Sequence, residues 1–289
     1  MAEPPEPEPS HDHVREVDAW AARRLERLTA DDGWLTVVGL EWLEPGANTI
    51  GSGPANRVRL PGGPERLGSI LVSDVGIRLD AAPGVEGLLG PAGAVSRAIE
   101  LLDDRGGREP TRLRLDALTF FVIEREGHRA VRVKDAGAPA RERFGGIERW
   151  PVDARWRVEA RFEPLPADAS VLAPDVLGTG QTYATPGVLR FDLAGAPCRL
   201  VAFQEPGEDE LFLVFGDRTN GTDSFAGGRY LYAQAPDGRG IVVLDFNRAY
   251  NPPCVFTPFA TCALPLEENR LVVRVEAGEK RYEGPGAGH

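Results

Sequence analysis

The chain has 289 residues, of which 42% are hydrophobic and 27% charged, the make-up of a globular protein able to bury a sizeable core. Its formal net charge of -11 argues against binding to nucleic acid or to an anionic membrane surface, because neutralising phosphates needs a basic face. No apolar run reaches the roughly 18 residues of a membrane span, and three cysteines are too few for a disulfide scaffold.

The first residues, Met1 to Asp12, are acidic and rich in proline, unlike the basic-then-apolar plan of a secretory signal. Together with the cysteine count, this makes a cytoplasmic protein the expectation. Residues 1–12 read as a disordered tail. A helix follows over 13–30, capped by Ser10 or Asp12, since Val14, Val17, Ala21, Leu25 and Leu28 recur at helical spacing. His11 and His13 flank Asp12, and the plainer reading of that trio is a mobile tail rather than a metal site.

From Trp34 the pattern changes to short apolar runs broken by Gly, Pro, Asn and Asp. Trp34–Leu43, Arg57–Leu60, Ile70–Val72, Ile77–Leu79, Arg112–Leu115, Thr119–Ile123 and Ala130–Lys134 read as strands. Glu126-Gly127 offers a tight hairpin turn between the last two, with His128 at its tip. Residues 31–162 are therefore expected to form a sandwich-like β domain. Within it, Gly46–Leu60 resembles the cadence of a forkhead-associated β-sandwich. Ser52 stands where such modules carry arginine, and no Ser-x-x-His follows.

Arg155–Phe162 alternates strictly and reads as a half-buried strand leading toward the second half. Residues 163–283 read as a second antiparallel β unit, opening with a proline-rich connection over Glu163–Pro174, and 284–289 as a loose end. In this unit Val188–Leu193 and Arg199–Phe203 flank the turn Ala194-Gly195. Leu211–Phe215 is apolar on both faces, Arg229–Ala233 and Ile241–Phe246 are joined through Pro236-Asp237-Gly238, and Leu271–Glu276 reads as a late strand. The fold class expected is mainly β: an N-terminal helix, a β-sandwich-like half and a second antiparallel β unit.

The chemistry gathers in the second unit. Ile241–Phe246 begins apolar on both faces and ends with Asp245 and Asn247 on one of them, the pattern of a pocket rim. Phe215-Gly216-Asp217 repeats it, delivering Asp217 from a buried strand. Asp217, Asp245 and Arg229 are expected to converge at one end of the sheet, a buried arginine there needing a carboxylate partner. Either a ligand site or a closed ion-pair and amide network accounts for that composition. Asn251-Pro252-Pro253 stiffens the backbone before Cys254. A nucleophilic Cys254 wants a nearby base, and His11, His13, His128 and His289 are poorly placed for it, so a packed core thiol is the plainer reading. Cys254 and Cys262 lie too far apart for the usual zinc spacing, and no metal or cofactor is expected.

Phe215-Gly216-Asp217-Arg218-Thr219, Gly227-Gly228-Arg229-Tyr230-Leu231, Asp245 through Cys254, Thr261-Cys262, Glu268-Asn269-Arg270-Leu271 and Ala277-Gly278-Glu279-Lys280 together resemble the signature of the bacterial domain-of-unknown-function 1684 family. Ala263 departs from the proline that pattern favours after the cysteine. The resemblance implies no activity.

The leading expectation is binding of a small polar or anionic molecule in a pocket of the second unit. Arg229 and Arg248 would meet the anion, Asp217 and Asp245 would orient them, and Asn247, Tyr250 and Asn251 would add hydrogen bonds. One alternative is an enzyme using Asp217 and Asp245 as acid and base. The other is a protein-interaction module working through the sandwich-like half.

Overall fold

The structure, a computed structural model, describes residues 9–286. The expected tail over 1–8 and the last three residues lie outside the described residues. The chain is mainly β, with an N-terminal helix. It divides into two units: residues 28–144 with 257–260 form one, and the other described residues form the second.

The helix spans His11–Thr29, and the Ser10 hydroxyl caps it by accepting from the His13 amide at 3.2 Å. Residues 11 and 12 are thus helical rather than part of a tail.

The 28–144 unit is built from two sheets. One has the order Val37–Trp42, His128–Asp135, Leu118–Arg125, Leu113–Leu115, Leu89–Gly90 and Gly93–Ala94. The other runs Val58–Arg59, Gly46–Gly51, Gly68–Ser73, Gly76–Ala81 and Ala98–Leu101. Their inward residues, among them Ile50, Ile70, Leu79, Leu113, Phe120 and Val133, share one core. This is the sandwich that the period-two patterns predict. The Glu126-Gly127 turn takes positive φ at both residues, as a two-residue hairpin requires. Ser52 and Asn56, the polar residues of the forkhead-like stretch, bond to loop carbonyls of Gly63, Gly53 and Glu65.

The second unit carries one curled antiparallel sheet. Its order is Arg229–Ala233, Leu211–Phe215, Ala196–Gln204, Gln181–Leu193, Arg157–Pro164 and Ile241–Asp245, with Ser170–Ala173 pairing Gln181–Leu193 off that path. The strand Arg157–Pro164 is a full member of this sheet, paired on both sides, rather than the last strand of the preceding half. The two ends of the sheet are joined where Tyr230 and Tyr250 exchange backbone hydrogen bonds, each at 2.9 Å. The concave face is filled by Trp156, Ala160, Leu189, Phe191, Leu213, Phe215, Leu231, Val242, Leu244 and Phe246.

Two expectations change here. Ser170–Ala173, inside the proline-rich connection, is a strand. Leu271–Glu276 is not one. Its backbone is instead held group by group: Leu271 N donates to Gly216 O, Val275 N to a carboxylate oxygen of Asp217, and Val273 O accepts from Arg218 N. Isolated backbone bonds and one carboxylate have replaced the ladder that its alternation predicts.

Candidate functional site

The signature residues separate into a sealed knot and a rim. At the knot, the buried strand Leu211–Phe215 ends in Gly216-Asp217, and the neighbouring strand opens with Arg229. Arg229 is wholly buried, and its Nη2 donates to Asp217 Oδ2 at 2.8 Å. The same nitrogen reaches Val275 O at 2.7 Å, while Nη1 donates to Ala277 O. Its guanidinium lies 5.2 Å from the Trp150 ring centroid and 5.4 Å from that of Phe215. Asp217 also accepts from the amides of Thr219 and Val275. Burial pushes the Arg229 pKa down while the Asp217 charge works to hold it up, so the pair is a closed unit.

Backbone geometry holds this knot. Gly228 sits at φ 88°, and a Cβ there would lie 2.6 Å from Phe215 O. Gly278, at φ 76°, would place a Cβ 2.3 Å from Ala249 O. The glycines before Arg229 and Glu279 are thus needed to turn those side chains inward. Glu279 is buried and accepts from the Asn251 amide at 2.7 Å and from Arg24 Nε at 3.3 Å. Arg24 of the helix also donates to Asn251 O and covers the Tyr250 ring at 4.6 Å. Asn251 spends its side-chain amide on Lys280 O at 2.8 Å. Phe212, Tyr232 and Tyr250 continue this stack, with centroids 5.1 and 6.2 Å apart. At its edge Tyr232 donates to Glu205, whose pKa burial raises.

The rim lies where Ile241–Asp245 ends. Asp245 Oδ1 accepts from the backbone and side-chain nitrogens of Asn247 at 3.2 and 2.9 Å, which fixes the carboxylate. Its Oδ2 meets His13 Nε2 at 2.9 Å, both side chains being 10% exposed. His13 therefore belongs to the first turn of the helix and to this rim, not to a mobile tail. Arg248 approaches Asp245 at 3.5 Å and Glu16 at 3.4 Å. Arg149 reaches Asn247 O at 3.3 Å and Asp18 at 3.7 Å, with its pKa lowered by burial. The Arg248 and Arg149 side chains are 34% and 19% exposed; their Nε atoms are buried and make no hydrogen bond among the described residues, that of Arg248 being the atom that faces Asp245 Oδ2. Asn247 itself is spent on Asp245 and on both backbone groups of Asp153.

The expected convergence of three groups is thus one of two: Asp217 meets Arg229, while Asp245 turns to His13 and Asn247. Arg229 and Asn251 are sealed inside, Tyr250 is half-buried under Arg24, and Arg248 remains at a surface. Cys254 is buried, and its backbone amide donates to Cys262 Sγ at 3.2 Å; no histidine or carboxylate among the described residues is hydrogen-bonded to its thiol. Sequence reasoning missed His13, Arg24 and Arg149. The Ser10 cap placed His13 in a first turn, where a fixed side chain was legible; the other two carry no local signal.

Residues 142–280 match the family described as "Protein of unknown function (DUF1684)". The chain belongs to that family. A solved structure of an uncharacterized protein from Haloarcula marismortui is 34% identical; the likeness covers 47% of this chain and 77% of that one, with a TM-score of 0.41. No curated protein matches this chain. The DUF1684 match takes in both the knot and the Asp245 rim. His13 and Arg24 stand outside it, on a helix that precedes the matched residues.

No helix among the described residues is long and apolar enough to cross a membrane. No group of three or more potential metal ligands occurs among them.

Proposed function

We propose that the curled-sheet unit binds a small anionic molecule at the Asp245 rim, with Arg248 and Arg149 as its anion contacts. The observation that carries this reading is the pair of partly exposed guanidiniums, Arg248 and Arg149, gathered with the fixed Asp245 carboxylate and Asn247 at one strand end. Arg229 is not among the contacts in this reading, because its charge and its Nη donors are already taken inside the fold. A guanidinium presents its Nε–H and one Nη–H as a fork that suits a carboxylate or a phosphate.

Acid–base chemistry by Asp245 is a second reading, favoured by its contact with His13. A carboxylate held by Asn247 that in turn orients an imidazole is the arrangement of a base and its positioning group. Asp217 has no part in it.

Mass spectrometry of freshly purified protein, native against denatured, tests the binding reading. A stoichiometric anionic species that leaves on denaturation and is missing from Arg248→Ala is the expected result. A bound species retained in full by both Arg248→Ala and Arg149→Ala would overturn the assignment to this rim.

A further inference from the structure

The two cysteines of the signature lie together in space and have no part in the binding reading. Cys254 sits in the short turn Pro253–Val255, fixed by the double proline and by bonds from Val255 N to Pro252 O and Phe256 N to Pro253 O, each 3.0 Å. Cys262 is fixed as well: its carbonyl accepts from Val176 N at 3.0 Å, and the next residue pairs with Asp175. Between these two anchored backbones the Cys254 amide points at Cys262 Sγ, 3.2 Å away, and the two thiols share a hydrogen bond. A sulfur that close to its partner's backbone nitrogen lies within the short span that a disulfide bridges. The third cysteine, Cys198, is placed differently: it faces the core on the concave side of the curled sheet. No disulfide is formed among the three.

We propose that Cys254 and Cys262 are a redox pair that closes to a reversible disulfide on exposure to hydrogen peroxide. The Cys262 sulfur gives up its proton, the resulting thiolate accepting from the amide already aimed at it, and attacks one peroxide oxygen while negative charge passes to the departing oxygen. The O–O bond breaks, and the departing hydroxide takes the thiol proton and leaves as water. The sulfenic acid left on Cys262 is then attacked by the Cys254 sulfur; the S–S bond forms and the S–O bond breaks. That hydroxide carries away the Cys254 proton as a second water. Two thiols lose two electrons, and one peroxide becomes two waters. The hydrogen bond to Cys262 and burial raise the Cys254 thiol pKa, so closure is slow at neutral pH and quickens as pH rises. Both residues are buried but keep slight exposure, at 8% and 6%.

The test treats the full chain with peroxide, blocks remaining thiols with an alkylating agent, and reads intact mass and peptide maps. The expected product is lighter than the reduced protein by two hydrogen atoms, carries a cross-linked Cys254–Cys262 peptide, and reverts with dithiothreitol. Cys198 should stay alkylatable, and Cys198→Ser should close as the parent does. Cys254→Ser should give no cross-link and instead add oxygen at Cys262. Two results would overturn the pairing. One is folded protein whose Cys254 and Cys262 both remain alkylatable after doses that fully oxidise an exposed thiol. The other is separate oxygen addition at each without a cross-link.

Discussion

Two strands of the curled sheet end in an aspartate near an arginine, and the two ends have opposite fates. The Asp217 and Arg229 side chains are both fully buried, paired with each other and bonded to backbone groups of 219, 275 and 277, with the Arg229 Nε alone of its nitrogens left without a hydrogen bond among the described residues. Asp245 is bound to its own Asn247 and to His13, with Arg248 and Arg149 left partly exposed beside it. The residue types are the same in both places, Asp245 closing its strand and Asp217 standing two residues past the end of its own. What separates them is whether irregular backbone covers the strand end. The segment 271–279 closes over the first, and its carbonyls accept from both Nη nitrogens of the guanidinium. The second meets only the opening turn of a helix. A sealed ion pair that organises backbone is architecture; guanidiniums that stay partly exposed beside a carboxylate are available for recognition.

That contrast can be broken by mutation, and the largest effect belongs to the knot. Asp217→Asn leaves Arg229 charged without its carboxylate, so denaturant unfolding should show a loss of about 3–5 kcal/mol. A loss under about 1 kcal/mol would mean that the knot does not hold the segment over it. Asp245→Asn keeps most of the rim's hydrogen-bond shape and should cost less, below about 2 kcal/mol by the same measurement.

Glu205 sharpens the comparison as a half-buried carboxyl with a tyrosine partner and no arginine against it. Burial raises its pKa above the unfolded value, so the native state holds its proton more tightly than the unfolded chain. Ionising it as pH rises from the unfolded pKa to the folded one therefore removes stability. Glu205→Gln should be the more stable protein at neutral pH, and thermal unfolding should show that advantage disappearing at pH below the ordinary carboxyl range. An advantage that persists in acid would point to packing rather than charge. The smallest stability effect is expected for Arg248→Ala, within about 0.5 kcal/mol, although this variant should lose anion binding.

Much of this was legible in the sequence. Leu211–Phe215 and Arg229–Ala233 stand where their apolar runs place them, and the hairpins at Glu126-Gly127 and Ala194-Gly195 follow from turn chemistry. The helix and its Ser10 cap could be read as well. Leu271–Glu276 misleads because alternation reports which side chains are buried and not what its amides bond to; here they meet Asp217 and isolated carbonyls. The small strand Ser170–Ala173 was hidden by the prolines around it. At the site, the sequence pointed to eight residues, Asp217, Arg229, Asp245, Asn247, Arg248, Tyr250, Asn251 and Cys254, but could not sort the buried from the exposed. Whether Arg229 or Arg248 faces solvent depends on the segment 271–279 and on the helix, far away in the chain. His13 and Asp245 are 232 positions apart, and no local pattern joins them.

The most direct measurement follows the side-chain Nε–H signals of Arg149, Arg248 and Arg229 by NMR while inorganic phosphate is added to the full chain. Saturable shifts at Arg149 and Arg248, with Arg229 unmoved and the Arg149 response weakened in Arg248→Ala, are the result predicted here. Saturable shifts at Arg229, or no response at Arg149 and Arg248 even at high phosphate, would contradict the division of the signature into a sealed knot and an anion-binding rim.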